Sequence, residues 1–148
     1  MTIRKAVAAD ADAVRRIAEE AYEQYVAAIG RKPAPMIADF AGQIGEGKVD
    51  VAVSADGRVQ GFVVHYPRGE TVHLENVAVG RDWTGQGIGG ALIAHCEAEA
   101  RKAGFPAVDL YTNIKMVANH TLYPRLGYVE THRGEENGFH RIYYRKDL

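Results

Sequence analysis

The stretch that decides the fold reads LENVAVGRDWTGQGIGGALI, residues 74 to 93. Apolar, strand-like residues lead into a glycine-rich turn, and the turn opens straight into a helix. Gly85, Gly87, Gly89 and Gly90 fall within six residues. Glycine adopts backbone angles closed to other residues and lets a ligand approach the main chain. The first amides of a helix have no partner inside it, and the helix dipole places partial positive charge there. Strand, glycine turn and helix start together make a cradle for phosphate groups, lined by backbone N–H groups.

Working outward, residues 2–7 predict a strand. A helix follows from about Asp10, whose carboxylate is placed to cap the first free amides. Val14, Ile17, Ala18, Ala21, Tyr22, Tyr25 and Ile29 continue it at helical spacing as far as Gly30. Pro33 and Pro35 make a loop of the next residues, and a weaker helix covers 36–44. Strands are expected over 49–54, 58–66 and 71–79, with Asp56-Gly57 as a hairpin signal between the first two. A helix over 87–103, a strand over 107–112 and a helix over 116–126 come next. Strands over 128–133 and 141–145 then flank a polar loop holding Gly134 and Gly138. No repeat, linker or low-complexity tract interrupts the chain. The order predicts one α+β domain spanning residues 1–148, built on a mixed sheet.

Composition narrows the function classes. At 47% apolar and 25% charged, the chain has the balance of a soluble globular protein. A net charge of −1 excludes a nucleic-acid or membrane-surface binder held by bulk electrostatics. No apolar run approaches the ~18 residues of a membrane helix, and residues 1–14 lack the apolar core of a secretory signal. The one cysteine, Cys96, excludes an intrachain disulfide framework and suits a reducing cytoplasm.

The cradle alone leaves several ligands open. Residues 85–90 formally satisfy the dinucleotide pattern G-x-G-x-x-G, but only 58 residues follow Gly90, too few for the repeated strand–helix units of that fold. The acidic residue expected about 20 positions on would be Asp109, which falls mid-strand. A nucleotide P-loop fails because no Lys-Ser or Lys-Thr follows the glycines. A purely structural glycine turn is the remaining alternative.

Two signatures together resemble the GNAT superfamily of CoA-dependent N-acetyltransferases. The first is that family's Q/R-x-x-G-x-G/A at a helix start after a long strand. Here Thr84 replaces the long polar residue, while Gly87 and Gly89 match the small positions. The second is TNIKMVANHTLYPRLGY, residues 112 to 128, similar to the family's helix with a tyrosine before a leucine-glycine-aromatic ending. Pro124 departs from the charged residue common there and deprives the helix of one backbone bond. The likeness runs from Ile3 to Arg145. It implies a GNAT-like, mostly antiparallel sheet of six to seven strands with helices on both faces, and acetyl-CoA as cosubstrate without a metal.

By the same resemblance, Thr84, Gly85, Gln86, Gly87, Ile88, Gly89 and Gly90 hold the pyrophosphate. Val77, Ala78 and Val79 offer main-chain groups to pantetheine as an added strand. Tyr123 falls on the family's general acid, and Glu75 on its strand carboxylate acting through water. Asn119, one turn before Tyr123, faces the pantetheine arm. Tyr22, Tyr25, Arg31, Met36 and Tyr66 are acceptor contacts. The acceptor itself stays open between a small molecule and a peptide or protein amine. Oligomeric state is open too, dimers being common in similar proteins.

The chemistry fits these residue types. A lysine-like amine with pKa ~10.4 is neutral only roughly once in two thousand molecules at pH 7, so a base such as Glu75 is useful. Tyrosine at ~10 is a weaker acid than a thiol at ~8.5, so full proton transfer to the thiolate is uphill by about 2 kcal/mol in water. A hydrogen bond as the C–S bond breaks needs no complete transfer. As alternatives, Glu75 pairs with His65 or His73, Tyr123 merely packs on the sheet, and the chain is a CoA-binding module without catalysis. Asn76, if buried, needs a partner. Cys96 shares a helical stripe with Leu92, Ile93 and Ala100 and reads as core. The six histidines lack metal-ligand spacing, so no metal site is expected.

Overall fold

A computed structural model describes residues 1–148. The chain opens with β1 (Thr2–Lys5), α1 (Ala11–Tyr22), α2 (Val26–Ile29) and α3 (Phe40–Gly45). It continues with β2 (Val49–Val53), β3 (Val59–Arg68), β4 (Thr71–Val79) and α4 (Ile88–Lys102). The last third holds β5 (Ala107–Asn113), α5 (Asn119–Arg125), β6 (Val129–Glu136) and β7 (Phe139–Asp147). All seven strands form one sheet in the order β1-β2-β3-β4-β5-β7-β6. Only the β4–β5 pair is parallel.

Strand alternation splits the core into two layers. Phe62 and Val64 turn to one face with Val49 and Val51, under Val14 and Ile17 of α1 and Phe40 and Ile44 of α3. Val63, Leu74, Leu110 and Ile142 turn to the other, under Leu92, Ile93 and Cys96 of α4. Helices thus cover both faces, as expected. α4 lies close on the sheet at Gly61, where a Cβ would stand 2.8 Å from the Ala78 carbonyl and 3.2 Å from Leu92. Cys96 is fully buried, and burial above all pushes its thiol up to about 12, so it is core and not a nucleophile.

Several expectations need correction. The helix predicted from Asp10 to Gly30 is broken by a tighter turn at Glu23–Tyr25. The break follows Tyr22, whose hydroxyl is anchored on β4, so a tertiary contact overrides helical spacing. Asp10 caps nothing in α1; its carboxylate accepts from the Val7 amide and the Arg4 guanidinium. α3 begins at Phe40 because Asp39 accepts from the Gly42 amide, leaving only a short turn at Ala34–Met36 between the prolines. α5 is three residues shorter at its start than expected, since Asn113 draws the Lys115 amide into a turn.

The final correction concerns the polar loop expected before Arg141. β6 and β7 instead form a continuous hairpin, and Gly134 pairs with Arg141 inside it. Its turn is Asn137-Gly138, both at positive φ of 54° and 80°, the conformation a two-residue type I′ turn requires.

Folding also joins residues that sequence spacing keeps apart. Asp50 accepts from His65 at 2.6 Å and His95 at 3.2 Å, with the Lys5 ammonium 3.1 Å away. Burial alone would raise the Asp50 carboxyl, but the bonds from His65 and Lys5 outweigh it and hold it below its usual range. Asp50, His65 and His95 thus bring their ligand atoms as close together as a metal site requires, although their spacing in sequence gave no such pattern. No helix is long and apolar enough to cross a membrane.

Candidate active site

The site opens where two neighbouring strands part. β4 and β5 pair only at Val72–Val108 and His73–Asp109; beyond that β5 stays with β7 and β4 with β3, which leaves the other edge of β4 without a partner strand. The Gly80 amide bonds the Gln60 carbonyl at 2.8 Å. Antiparallel alternation then turns the main chain of Ala78 and Asn76 towards β3. Val77 and Val79 therefore direct their N–H and C=O groups into the gap. Its walls are the end of α1, the start of α4 and α5, enclosing a cavity of about 610 Å³. That volume suits a small-molecule or cofactor site.

The register along β4 is not regular. Val64 pairs with Asn76 but His65 pairs with Leu74, which leaves Glu75 as the extra residue of a β-bulge. Such bulges re-aim side chains and concentrate beside active sites. The Glu75 carboxylate accepts from the Gln43 amide at 2.6 Å and the Tyr66 hydroxyl at 2.8 Å. Neither His65 nor His73 is its partner; His73 bonds Asp109 at 2.6 Å. Each Glu75 oxygen keeps a lone pair for a further donor.

Glycine is obligatory in only part of the cradle. Gly85 and Gly87 have φ of 77° and 81°, whereas Gly89 and Gly90 have ordinary φ and room for a Cβ. Gly87 caps α4, and the first amide bonded within that helix is Ala91, to the Gly87 carbonyl. The amides of Ile88, Gly89 and Gly90 are thus free of intrahelical partners. The Ile88 side chain is buried in the core, so this residue offers the cleft only its backbone. Thr84 lines the cleft, with its hydroxyl donating to the Arg81 carbonyl at 3.3 Å. Gln86 is exposed at the rim.

Tyr123 stands between the main cleft and a second, narrower slot of about 50 Å³. Tyr22, Val77, Met116 and Asn119 also line both, so the two spaces adjoin across a common wall. The Tyr123 ring packs against Tyr128 and Tyr144 at 5.8 Å each. Burial, with a smaller contribution from Tyr144, moves its phenol above the usual tyrosine range. Asn119 donates to the Thr112 hydroxyl at 2.8 Å, which orients its amide along the cleft wall. Asn76, 2% exposed, finds two partners: Tyr22 Oη lies 2.7 Å from its Oδ1, and its Nδ2 donates to the Pro35 carbonyl at 2.9 Å. Tyr22 Oη also lies 3.1 Å from the Val77 carbonyl.

The acceptor contacts expected from sequence divide. Tyr22 and Tyr25 line the main cleft. Arg31, Met36 and Tyr66 line neither space. Met36 is buried, and Tyr66 stands behind Glu75 as a hydrogen-bond donor. Arg31 reaches the Asn137 carbonyl and lies 3.7 Å over the Phe139 ring. Sequence reasoning missed Gln43, Tyr111, Met116, Phe139 and Arg141. The Asn-Gly pair at 137–138 was the one local signal that would have led to the last two.

An open edge on a central strand, facing a glycine-capped helix start, defines an acyl-CoA-binding type of fold. The model of the acetyltransferase (GNAT) family matches residues 12–128, and the chain belongs to that family. The aminoalkylphosphonate N-acetyltransferase of Salmonella typhimurium is 48% identical over 48 residues, 32% of this chain and 31% of that protein. The probable N-acetyltransferase 14 of Xenopus tropicalis is 32% identical over 108 residues, 71% of this chain and 52% of that protein. The chain therefore spans only 31% to 52% of the length of these relatives. The PaiA N-acetyltransferase of Thermoplasma acidophilum, solved with coenzyme A, shares the fold at a TM-score of 0.80 and 15% identity, over 99% of this chain and 98% of that one.

Proposed function

We propose that this chain transfers an acetyl group from acetyl-CoA directly to the amine of a small-molecule or peptide acceptor. The observation that carries the proposal is that two adjoining spaces share Tyr123 in their common wall. A cleft shaped for a long donor meets a slot for an acceptor, with Glu75 on the slot wall and Tyr123 at the junction. Family membership and the coenzyme A held by a protein of the same fold support the choice of donor.

The residues present fit that donor. Free amides at Ile88, Gly89 and Gly90 face the position of a pyrophosphate. The main chain of Val77 and Val79 offers an unpaired strand edge to the amides of pantetheine. Acetyl-CoA, when bound, supplies an activated thioester. Glu75 takes the amine proton, directly or through water, while Gln43 and Tyr66 fix its carboxylate. Tyr123 keeps its proton across the neutral range and donates a hydrogen bond to the departing thiolate. A cytoplasmic setting, supported by the single buried thiol, and one domain over residues 1–148 complete the proposal.

Release of the CoA thiol during incubation with acetyl-CoA and a panel of amines is the test. Amine-dependent release is expected. Tight CoA binding with no transfer to any amine would favour the non-catalytic module.

A further inference from the structure

The acceptor slot carries two charged residues, one of each sign: Glu75 from β4 and Arg141 from β7. Its other walls are prolines, aliphatic and aromatic side chains, and neutral amides and hydroxyls. Arg141 is only 7% exposed. Its guanidinium lies over the Tyr111 ring at 4.1 Å, which fixes its plane. Of its five N–H donors, Nη1 bonds Glu136 at 2.9 Å, and neither Nε nor Nη2 has a partner in the chain. Glu136 is itself 57% exposed, so it is a weak counter-ion competing with water.

Nε and Nη2 are not sealed from solvent, so they are free to exchange water for the oxygens of a ligand. Carboxylate and phosphonate match a planar guanidinium fork, because two oxygens accept two parallel N–H bonds. Glu75, which lines the same slot, suits the amine end of the same molecule. Resting on the acetyltransferase reading above, we propose that the acceptor is a small amine bearing an acidic group, carboxylate or phosphonate, that pairs with Arg141.

The slot's roof supports a small molecule over a polypeptide. Phe139 and Pro33 line it, and Arg31, two residues before Pro33, bridges to both Phe139 and the Asn137 carbonyl. This contact joins the loop after α2 to the β6–β7 turn beside the slot. At about 50 Å³, the slot is narrow, which suits a short aliphatic acceptor better than a polypeptide segment.

The test compares β-alanine and 2-aminoethylphosphonate with the neutral β-alanine amide and propylamine, each with acetyl-CoA and followed by thiol release. For the wild type, kcat/KM is expected to favour the acids over the neutral amines by on the order of 10- to 100-fold, the value of hydrogen bonds to a charged group. The carboxylate and phosphonate arms identify which acid is preferred. In Arg141→Gln the acid-to-neutral ratio should fall at least about tenfold, and Arg141→Lys, keeping charge but not the fork, should lie between. A purely structural role for Arg141 would lower both classes and leave their ratio intact, and that result overturns the proposal. Equal use of acids and neutral amines by the wild type overturns it as well. Transfer to a peptide amine but to none of these four overturns this proposal and leaves the acetyltransferase reading standing, whereas CoA binding with no transfer to any amine, peptides included, overturns both.

Discussion

The cleft proposed for the donor and the slot proposed for the acceptor adjoin at Tyr123, yet they are built in opposite ways. The cleft is a backbone device: free amides at the start of α4, the unpaired edge of β4, and two glycines at positive φ. The slot is made of side chains brought from the Pro33–Pro35 loop, β4, β5, α5 and β7. A backbone site binds the constant parts of a donor and needs few particular side chains. A side-chain site can be rebuilt one residue at a time. The donor is thus fixed by the fold, and the acceptor by residues that the fold leaves free to differ.

Substitutions can break this division. The largest effect is expected at the junction: Tyr123→Phe should lower kcat on the order of 10²- to 10⁴-fold. The Kd for CoA, measured by calorimetry, should stay nearly unchanged. An unaltered kcat would remove Tyr123 from the chemistry. On the donor side, Gly87→Val forces a β-branched residue to φ near 81°, a strain of about 1–3 kcal/mol at the cradle. CoA affinity should fall about 10- to 100-fold, and normal affinity would contradict a backbone-built cradle.

On the acceptor side, Glu75→Gln should reduce kcat/KM about tenfold or more at pH 7. The deficit should shrink as pH rises towards the amine's own pKa, because the acceptor then loses its proton unaided. A deficit constant with pH would make Glu75 a positioning residue. The smallest effect is expected at the apex, where the two sides divide. Burial works to raise the Asp109 carboxyl, but the bonds from His73 and Thr71 and the charge of Arg68 outweigh it, leaving it below its usual range. A depressed carboxyl stabilises the fold above the unfolded pKa of ~3.9 and loses that contribution as pH falls through its folded value. Asp109→Asn should lower Tm by a few degrees at pH 7 and flatten its decline in acid. A Tm equal to the wild type's at both pH values would show that His73 and Asp109 do not hold the apex together.

The same contrast explains what was legible in the sequence. The cradle, the open strand and Tyr123 lie in two continuous stretches, and hydrophobic periodicity located all seven strands. The bulge escaped because period-two alternation puts Leu74 and Val77 on opposite faces, whereas Glu75 slips the register and places both in one core layer. Arg141 escaped for a different reason. An arginine among strand aromatics has no local pattern, and it is the pairing of β7 with β5 that carries it beside Tyr111. Tyr22 was placed near the acceptor from resemblance alone; its contact with Asn76, 54 residues away, is invisible to any local rule.

That contact has a second consequence, for solubility. Beyond His73, β4 is a bare strand edge in the middle of a sheet, the kind of surface on which another chain can add itself. Tyr22 lays its hydroxyl on the Val77 carbonyl and the end of α1 over the gap, so the edge is shielded from foreign strands while remaining open to a slender ligand. Tyr22 is in this sense a guard against self-association, and its removal should register in light scattering on storage as well as in turnover.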